Sequence, residues 1–485
     1  MGSPDLWPRL ISPEKTPPGP IGLPLVGNLF EIGTKPHQSL ANLAKKYGPL
    51  MTVRLGSKTL VVASSPEMAQ QVLQKHDEAF SGRVISDTIT KVQNYDLNLV
   101  WMPSGDKSRL IRRALSTFLL HPKKLDTLVG FATRRCKSWF NIETGEAVDI
   151  GKLAFITALN QMSNTCFSMN VADYNSGEAQ GFLNAVKTVM FVVGQFNIAD
   201  VFPWLKPLDP QGLKRRAKVA YNWLNSVSNE FVTKRLQHRK LNIARHGDML
   251  DSLLDYVQEE LELNYECVKV LLVELLLGGT ETSSITTEWV MTELILNPNI
   301  MATVREEIQK KVGDKERIEE SDVLELPSLQ AVIKETMRLH LTVPLLVPHK
   351  TETEVELNGY VIPKNTQTIV NAWAIARDPK YWEEPTVFKP ERFLNSKLDF
   401  KGQHFSFIPF GSGRRMCPGI PLAHRVVSLM VASLVYHFDW NLPHGLTPEK
   451  LDMNDIFGLT LQRAIPLMAV PTICQKIILL INFSP

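Results

Sequence analysis

The longest unbroken helical pattern in the chain runs from about Tyr265 to Leu296. Asn264 stands where an N-cap belongs, and Pro298 follows the end of the run, where helices stop. At about 1.5 Å per residue, a helix of this length crosses a whole domain. Leu271, Leu275, Gly278 and Thr282 are spaced four, three and four apart, so they share one face of it. Two short strand-like runs, Leu50 to Leu55 and Thr59 to Ala63, predict a β-hairpin around Gly56-Ser57. Val355 to Leu357 and Tyr360 to Ile362 predict a second hairpin, turned by Asn358-Gly359. Long helical patterns lie between and beyond these. No repeat, low-complexity tract or linker divides them, so the pattern predicts one α-rich domain with small β-sheets.

The chain has 485 residues, enough for about three ordinary domains by length alone. Hydrophobic residues make up 44% and charged residues 21%, which suits a globular protein with a large core. A net charge of +3 selects no partner, and no nucleic acid is expected. The five cysteines, Cys136, Cys166, Cys267, Cys417 and Cys474, are scattered and odd in number, a reduced pattern rather than a disulfide framework. Pro17-Pro18-Gly19-Pro20 is stiff and non-helical, because proline fixes φ and removes a donor. Nothing before it is apolar enough to span a bilayer, which takes about 20 residues. The expected organisation is a leader at 1–16, a proline-rich hinge at 17–28, the main domain at 29–472 and a C-terminal tail at 473–485.

Candidate chemistry concentrates in Phe410-Gly411-Ser412-Gly413-Arg414-Arg415-Met416-Cys417-Pro418-Gly419. Backbone N–H groups of a Gly-rich turn and nearby arginines stabilise a thiolate. A lone cysteine cannot build a zinc site, which needs four ligands. It can be the single protein ligand of a haem iron, because the porphyrin supplies the others. A small buried cysteine in a turn is the plainer alternative. The pattern Phe-x-x-Gly-x-Arg-x-Cys-x-Gly argues against it. In the long helix, Gly278-Gly279 costs about 1 kcal/mol per glycine relative to alanine. Tolerating that cost implies close approach of a ligand or a local distortion. Glu335 and Arg338 lie three apart on another helical run and can meet, and Arg392 of Pro390-Glu391-Arg392-Phe393 can join them.

The segment Phe410 to Gly419 resembles the haem-binding loop of the cytochrome P-450 superfamily of haem-thiolate monooxygenases, matching at Phe410, Gly413, Arg415, Cys417 and Gly419. The resemblance extends from Pro17 to about Pro471. It implies the mainly α cytochrome P-450 fold, with haem b between a long distal helix and the proximal loop of Cys417. It makes Cys417 the metal ligand, and Arg112, Arg415 and His349 the cations toward the haem propionates. Gly278-Gly279-Thr280-Glu281-Thr282 is similar to the family's oxygen-binding groove, where Thr282 orients water and dioxygen and Glu281 belongs to a proton relay. Glu335, Arg338 and Arg392 match the elements that lock the thiolate loop in place. Relatives usually carry Trp-Arg-x-x-Arg where this chain reads Ser108-Arg109-Leu110-Ile111-Arg112. The expectation is a weakened propionate corner that Ser108→Trp would strengthen, with Trp101 too far upstream to substitute.

Asn197 to Pro203, Leu208 to Gly212 and Asn371 to Pro379 are similar to the plant subgroup that oxidises mono- and diterpenes. The resemblance implies a substrate pocket that includes Gly278, Leu275, Val343, Leu345, Phe457 and Leu461, most of it apolar. Expected with it are dioxygen as co-substrate, electrons from NADPH through a cytochrome P-450 reductase, a monomer, and a membrane anchor ahead of Pro17. The anchor would hold the native protein on the cytosolic face of the endoplasmic reticulum. The rivals are a haem-thiolate isomerase or dehydratase, which tends to lose the acid–threonine pair kept here, and a non-catalytic haem-binding protein.

Overall fold

Long helices with apolar faces make most of the fold. A computed structural model describes residues 16–91, 94–121, 145–243, 245–260, 262–313 and 318–474. Among these, the helices longer than ten residues are α1 (Pro36–Tyr47), α2 (Asp106–Phe118), α3 (Ile150–Phe167), α4 (Gly177–Gly194) and α5 (Leu213–Lys240), then α6 (Met249–Glu259), α7 (Tyr265–Leu296), α8 (Pro298–Val312), α9 (Pro327–Leu339) and α10 (Ile420–His437). The strands are β1 (Leu50–Leu55), β2 (Lys58–Ala63), β3 (Gly82–Arg83), β4 (Val148–Asp149), β5 (His349–Lys350) and β6 (Val355–Leu357), then β7 (Tyr360–Ile362), β8 (Gln367–Val370), β9 (Phe438–Asn441), β10 (Asp455–Phe457), β11 (Leu461–Arg463) and β12 (Met468–Ile473).

The longest helix starts and stops as its sequence signals predict. The Asn264 side chain accepts the Cys267 N–H at 3.1 Å, and Pro298 opens the next helix at a position where its missing N–H costs nothing. α7 packs chiefly on α3, and also on α10, α5 and α9. It is buried on most sides, which makes it the axle of the main apolar core. α10 is long and apolar enough to cross a membrane, yet two thirds of it is buried in that same core.

The main sheet has the strand order β1-β2-β8-β5-β3. β2 and β8 run parallel, and the other pairs are antiparallel. Both predicted hairpins form. Leu55 pairs with Lys58 around Gly56-Ser57, and Leu357 pairs with Tyr360 around Asn358-Gly359. The φ values of Asn358 and Gly359, 51° and 82°, are those of the mirror-image turn that suits the twist of two strands.

The segment read as a hinge is laid along β1. Thr52 N–H donates to Pro18 O at 2.8 Å, and Arg54 N–H donates to the Asn28 side chain at 2.9 Å. Gly19 approaches so closely that a Cβ there would sit 1.8 Å from Thr52 O. The segment is non-helical, as its prolines require. Most of the leader and of the C-terminal tail lies outside the described residues, as does Cys136.

Candidate active site

A cavity of about 340 Å³ separates α7 from the loop that carries Cys417. One wall is the face of α7 formed by Leu271, Glu274, Leu275, Gly278 and Thr282. Phe410, Gly411, Cys417 and Gly419 form the opposite wall. Arg83, Arg112, His349 and Arg415 close one end.

The two helix glycines answer to different neighbours. A Cβ on Gly278 would meet nothing within 4 Å, because it would point into the cavity. A Cβ on Gly279 would lie 2.2 Å from the Met162 methyl on α3. So Gly279 permits helix packing and Gly278 keeps the cavity wall low. No distortion is needed, since α7 runs unbroken through both. The Thr282 hydroxyl faces the cavity and donates to Gly278 O at 2.6 Å, leaving its oxygen free to accept.

Glu281 departs from expectation. Successive helix residues point about 100° apart, so the acid next to Thr282 faces elsewhere. Its carboxyl lies in a second cavity of about 30 Å³, with Lys187, Ser284, Glu288 and Arg463 around it. Thr460 donates to one oxygen at 3.4 Å, and the other oxygen has no partner. Burial pushes its pKa up to about 8, against a smaller opposing pull from Lys187. In this conformation Glu281 and Thr282 do not share a cavity.

The Cys417 loop is held by close backbone contacts. Gly413 has φ 67°, and a Cβ there would fall 1.7 Å from Leu73 O, so no other residue fits. Cys417 N–H donates to Phe410 O at 3.1 Å, and the Ser412 hydroxyl donates to Gly402 O at 2.6 Å. Phe410 meets Phe400 edge-on, 5.6 Å between ring centres. The sulfur sits three residues ahead of α10, where the helix dipole favours negative charge. Gly419 N–H and Arg112 also favour the thiolate, but the sulfur, open only to the cavity, is desolvated by the atoms around it, and this pushes the thiol pKa up. The lowered pKa read from the sequence is therefore corrected for the metal-free thiol. A bound metal ion displaces that proton outright.

Three guanidiniums meet at the end of the cavity. Arg112 donates to Met416 O at 3.1 Å, Arg415 to Met102 O at 2.7 Å, and Arg83 to Val347 O at 2.7 Å. None of the three pairs with a carboxylate within 4.0 Å among the described residues. Burial depresses the pKa of each, and neighbouring guanidiniums add to this for Arg83 and Arg415. His349 Nδ1 bonds Phe80 O at 2.7 Å, and burial with Arg83 beside it holds its pKa down to about 3, so the ring is neutral. Uncompensated cations at one end of an apolar slot with a thiol on its wall fit a haem with two propionates. Arg112, Arg415, Arg83 and His349 would hold the propionates and Cys417 the iron.

Arg83 was not anticipated. It arrives by long-range pairing of β3 with β5, in which Arg83 opposes His349, and nothing local marks it. Glu274 was missed too, although its spacing from Leu271 and Gly278 puts it on the same helix face.

Three expected pocket residues lie elsewhere. Val343 lines the cavity, but so does Leu346 rather than Leu345. Leu346 has φ 52°, an uncommon conformation for leucine, and Leu345 packs instead on the cluster of Leu40, Val53 and Val62. Phe457 stacks on His37, with ring centres 5.6 Å apart. Leu461 is buried, its N–H donating to Thr342 O at 2.8 Å, and it does not reach the cavity.

Glu335 and Arg338 are fully buried on α9. Arg338 Nε and Nη2 donate to the two Glu335 oxygens at 2.7 and 2.8 Å, and Arg392 Nε donates to one of them at 3.0 Å. Arg338 also donates to Ala376 O and Pro385 O, tying α9 to the segment before the Cys417 loop.

Ser108 is buried and satisfied. Its hydroxyl donates to Gly105 O at 2.8 Å and accepts Gly105 N–H at 3.0 Å, closing the first turn of α2. This reverses the expectation for Ser108→Trp. Trp101 is buried but does not line the cavity. An indole at position 108 would overpack the corner and is expected to cost about 1–3 kcal/mol. Denaturant midpoints and the rate of haem transfer to an acceptor protein measure this. A variant as stable as the parent that retains haem longer would reinstate the original expectation.

The comparisons agree with this geometry. The cytochrome P-450 family model matches residues 17–467. A ferruginol synthase of Isodon rubescens is 42% identical over 469 residues, covering 94% of each chain. A geraniol 8-hydroxylase of Catharanthus roseus is 42% identical over 465 residues, covering 95% of this chain and 94% of its own. With one thiol and three guanidiniums on the cavity wall and a family match along nearly its whole length, this chain belongs to the cytochrome P-450 family.

Proposed function

We propose that the protein hydroxylates an apolar mono- or diterpenoid, using dioxygen and electrons passed from NADPH by a flavoprotein reductase. The observation that carries this reading is the apolar face of Leu271, Leu275, Val343 and Leu346 opposite Cys417. Such a wall binds by shape and area, at about 25 cal/mol per Å² buried. The ferruginol synthase and geraniol 8-hydroxylase relatives carry names of the same substrate class.

Haem held by Cys417 supplies dioxygen activation and oxygen-atom transfer. The chain's own groups do the rest. The α7 face orients the substrate and excludes water. Thr282 Oγ1, held by its bond to Gly278 O, accepts a hydrogen bond and holds a proton donor at the cavity wall. Glu281 is kept largely protonated near neutrality in the neighbouring cavity, so it reaches Thr282 only if its side chain turns from the conformation seen here. The reductase docks on the Cys417 side as a complex with a monomer. The protein sits on the cytosolic face of the endoplasmic reticulum. In support, Ile21, Leu25, Phe30, Trp204 and Leu208 are exposed apolar side chains. The Ser57 hydroxyl donates to Val201 O at 2.8 Å, which brings the β1–β2 turn near the segment that carries Trp204.

The test is a spin-state titration of the haem-loaded protein with geraniol-like and abietane-like compounds, followed by turnover with reductase. Product should match NADPH consumed. Thr282→Ala should keep its haem and lose several-fold in product per NADPH, because proton delivery is worth about 10²-fold or more. Product formed without NADPH would favour the isomerase rival. An unchanged ratio in the variant would remove Thr282 from the chemistry.

A further inference from the structure

Glu274 is an acid on the apolar wall. It lies on α7 one turn before Gly278 and two turns before Thr282, on the same face. It is half-buried on the cavity wall, and no Lys or Arg comes within 4.0 Å of its carboxyl among the described residues. Arg112 acts on it only at longer range. Its oxygens accept Leu99 N–H at 2.9 Å and Val100 N–H at 3.1 Å, and the latter N–H is shared with the Asn98 side chain at 3.1 Å. A carboxylate accepts about four hydrogen bonds, so roughly half its capacity is unused. Leu119, Leu271 and Leu275 line the same cavity. The hydroxyls of Thr282 and Thr286 donate to helix carbonyls instead.

We propose that Glu274 is the polar anchor of the substrate cavity, accepting a hydrogen bond from a hydroxyl at one end of an otherwise apolar molecule. The proposal rests on reading this cavity as the substrate site, and it adds the substrate's polar group. An acid facing an apolar void without a cation is costly unless a donor meets it. Burial pushes its pKa up to about 7, so both forms exist near neutrality, and both accept. The plainer role, holding the 99–100 segment to α7, uses the two bonds already made and leaves the rest unexplained. The anchor also sets position. Eight residues of helix separate Glu274 from Thr282, about 12 Å along the axis. A molecule held by its hydroxyl at Glu274 therefore presents its far end near Thr282, and the oxidised carbon is remote from the hydroxyl.

The test compares two matched pairs, geraniol with geranyl methyl ether and 1-decanol with decyl methyl ether. Binding to the haem-loaded protein is read by calorimetry and by the spin-state shift. Each alcohol should bind about tenfold tighter than its ether, the size of one hydrogen bond to a charged acceptor. In Glu274→Gln the ratio should fall toward one, since an amide also donates to an ether. In Glu274→Asp, which keeps a carboxyl, the preference should remain. If Glu274→Gln fails to hold haem, the wild-type ratios and the site of oxidation decide. Alcohol preference in the decyl pair without geraniol binding would uphold the anchor and defeat the terpenoid reading. Equal binding within both pairs, binding by neither pair, or a preference untouched by Glu274→Gln would overturn the anchor.

Discussion

Cys417→Ala is expected to abolish the red-shifted Soret band of the reduced carbon monoxide complex, and turnover with it. The band requires a thiolate on iron, and among the described residues that line the cavity only Cys417 carries a thiol. Cys166, Cys267 and Cys474 are buried elsewhere in the fold, and burial pushes the Cys166 thiol far above its ordinary pKa. No group of three or more His, Cys, Asp or Glu residues among those described can hold a metal instead. The alanine protein should still fold, since the loop is fixed by Gly413, Phe410 and Ser412 rather than by the sulfur. Spectra of the reduced carbon monoxide complex check this directly. A variant that kept the band would remove Cys417 from the metal.

The second large effect is on stability. Glu335→Ala is expected to cost about 3–5 kcal/mol, the penalty for leaving buried charge without its partner. The Glu335 carboxylate accepts from Arg338 twice, from Arg392 and from Lys389 N–H at 2.9 Å. Its loss strands the Arg338 guanidinium, which has no exposed surface. Domains are stable by about 5–15 kcal/mol, so the variant should lose roughly a fifth or more of its margin. Denaturant midpoints and haem content at 25 °C measure this. A shift below about 1 kcal/mol would show that the carbonyl bonds of Arg338 hold the region alone. Glu335→Gln should fall between the two, because it keeps an acceptor and loses the charge.

Local chemistry made part of this legible in the sequence. Asn264, Pro298 and the Asn358-Gly359 turn act within a few residues, and their elements begin and end where predicted. The Cys417 loop is similarly self-contained. The Glu335–Arg338 pair was legible as a spacing, and its burial was not. What escaped notice depends on distant chain segments. Arg83 reaches the cavity through strand pairing with His349, more than 260 residues away. Leu345 and Leu346 exchange roles through one positive φ. Glu281 shows the limit of reading a motif as a unit, because neighbours on a helix face different surroundings. Glu274 was readable from its spacing, because it shares a helix face with Leu271 and Gly278.

The cluster of Arg83, Arg112 and Arg415 has a consequence for how the chain matures. Each guanidinium is already fixed by carbonyls, so the receptor for two anionic groups exists before they arrive. Until then its charges repel one another. Loading and folding are therefore linked by mass action, and the chain gains stability from whatever anion fills the gap. Salt screens such repulsion over about 10 Å at 0.1 M. The empty chain is the form that depends on ionic strength, and in dilute buffer it is the one most exposed to proteolysis and aggregation before haem reaches it.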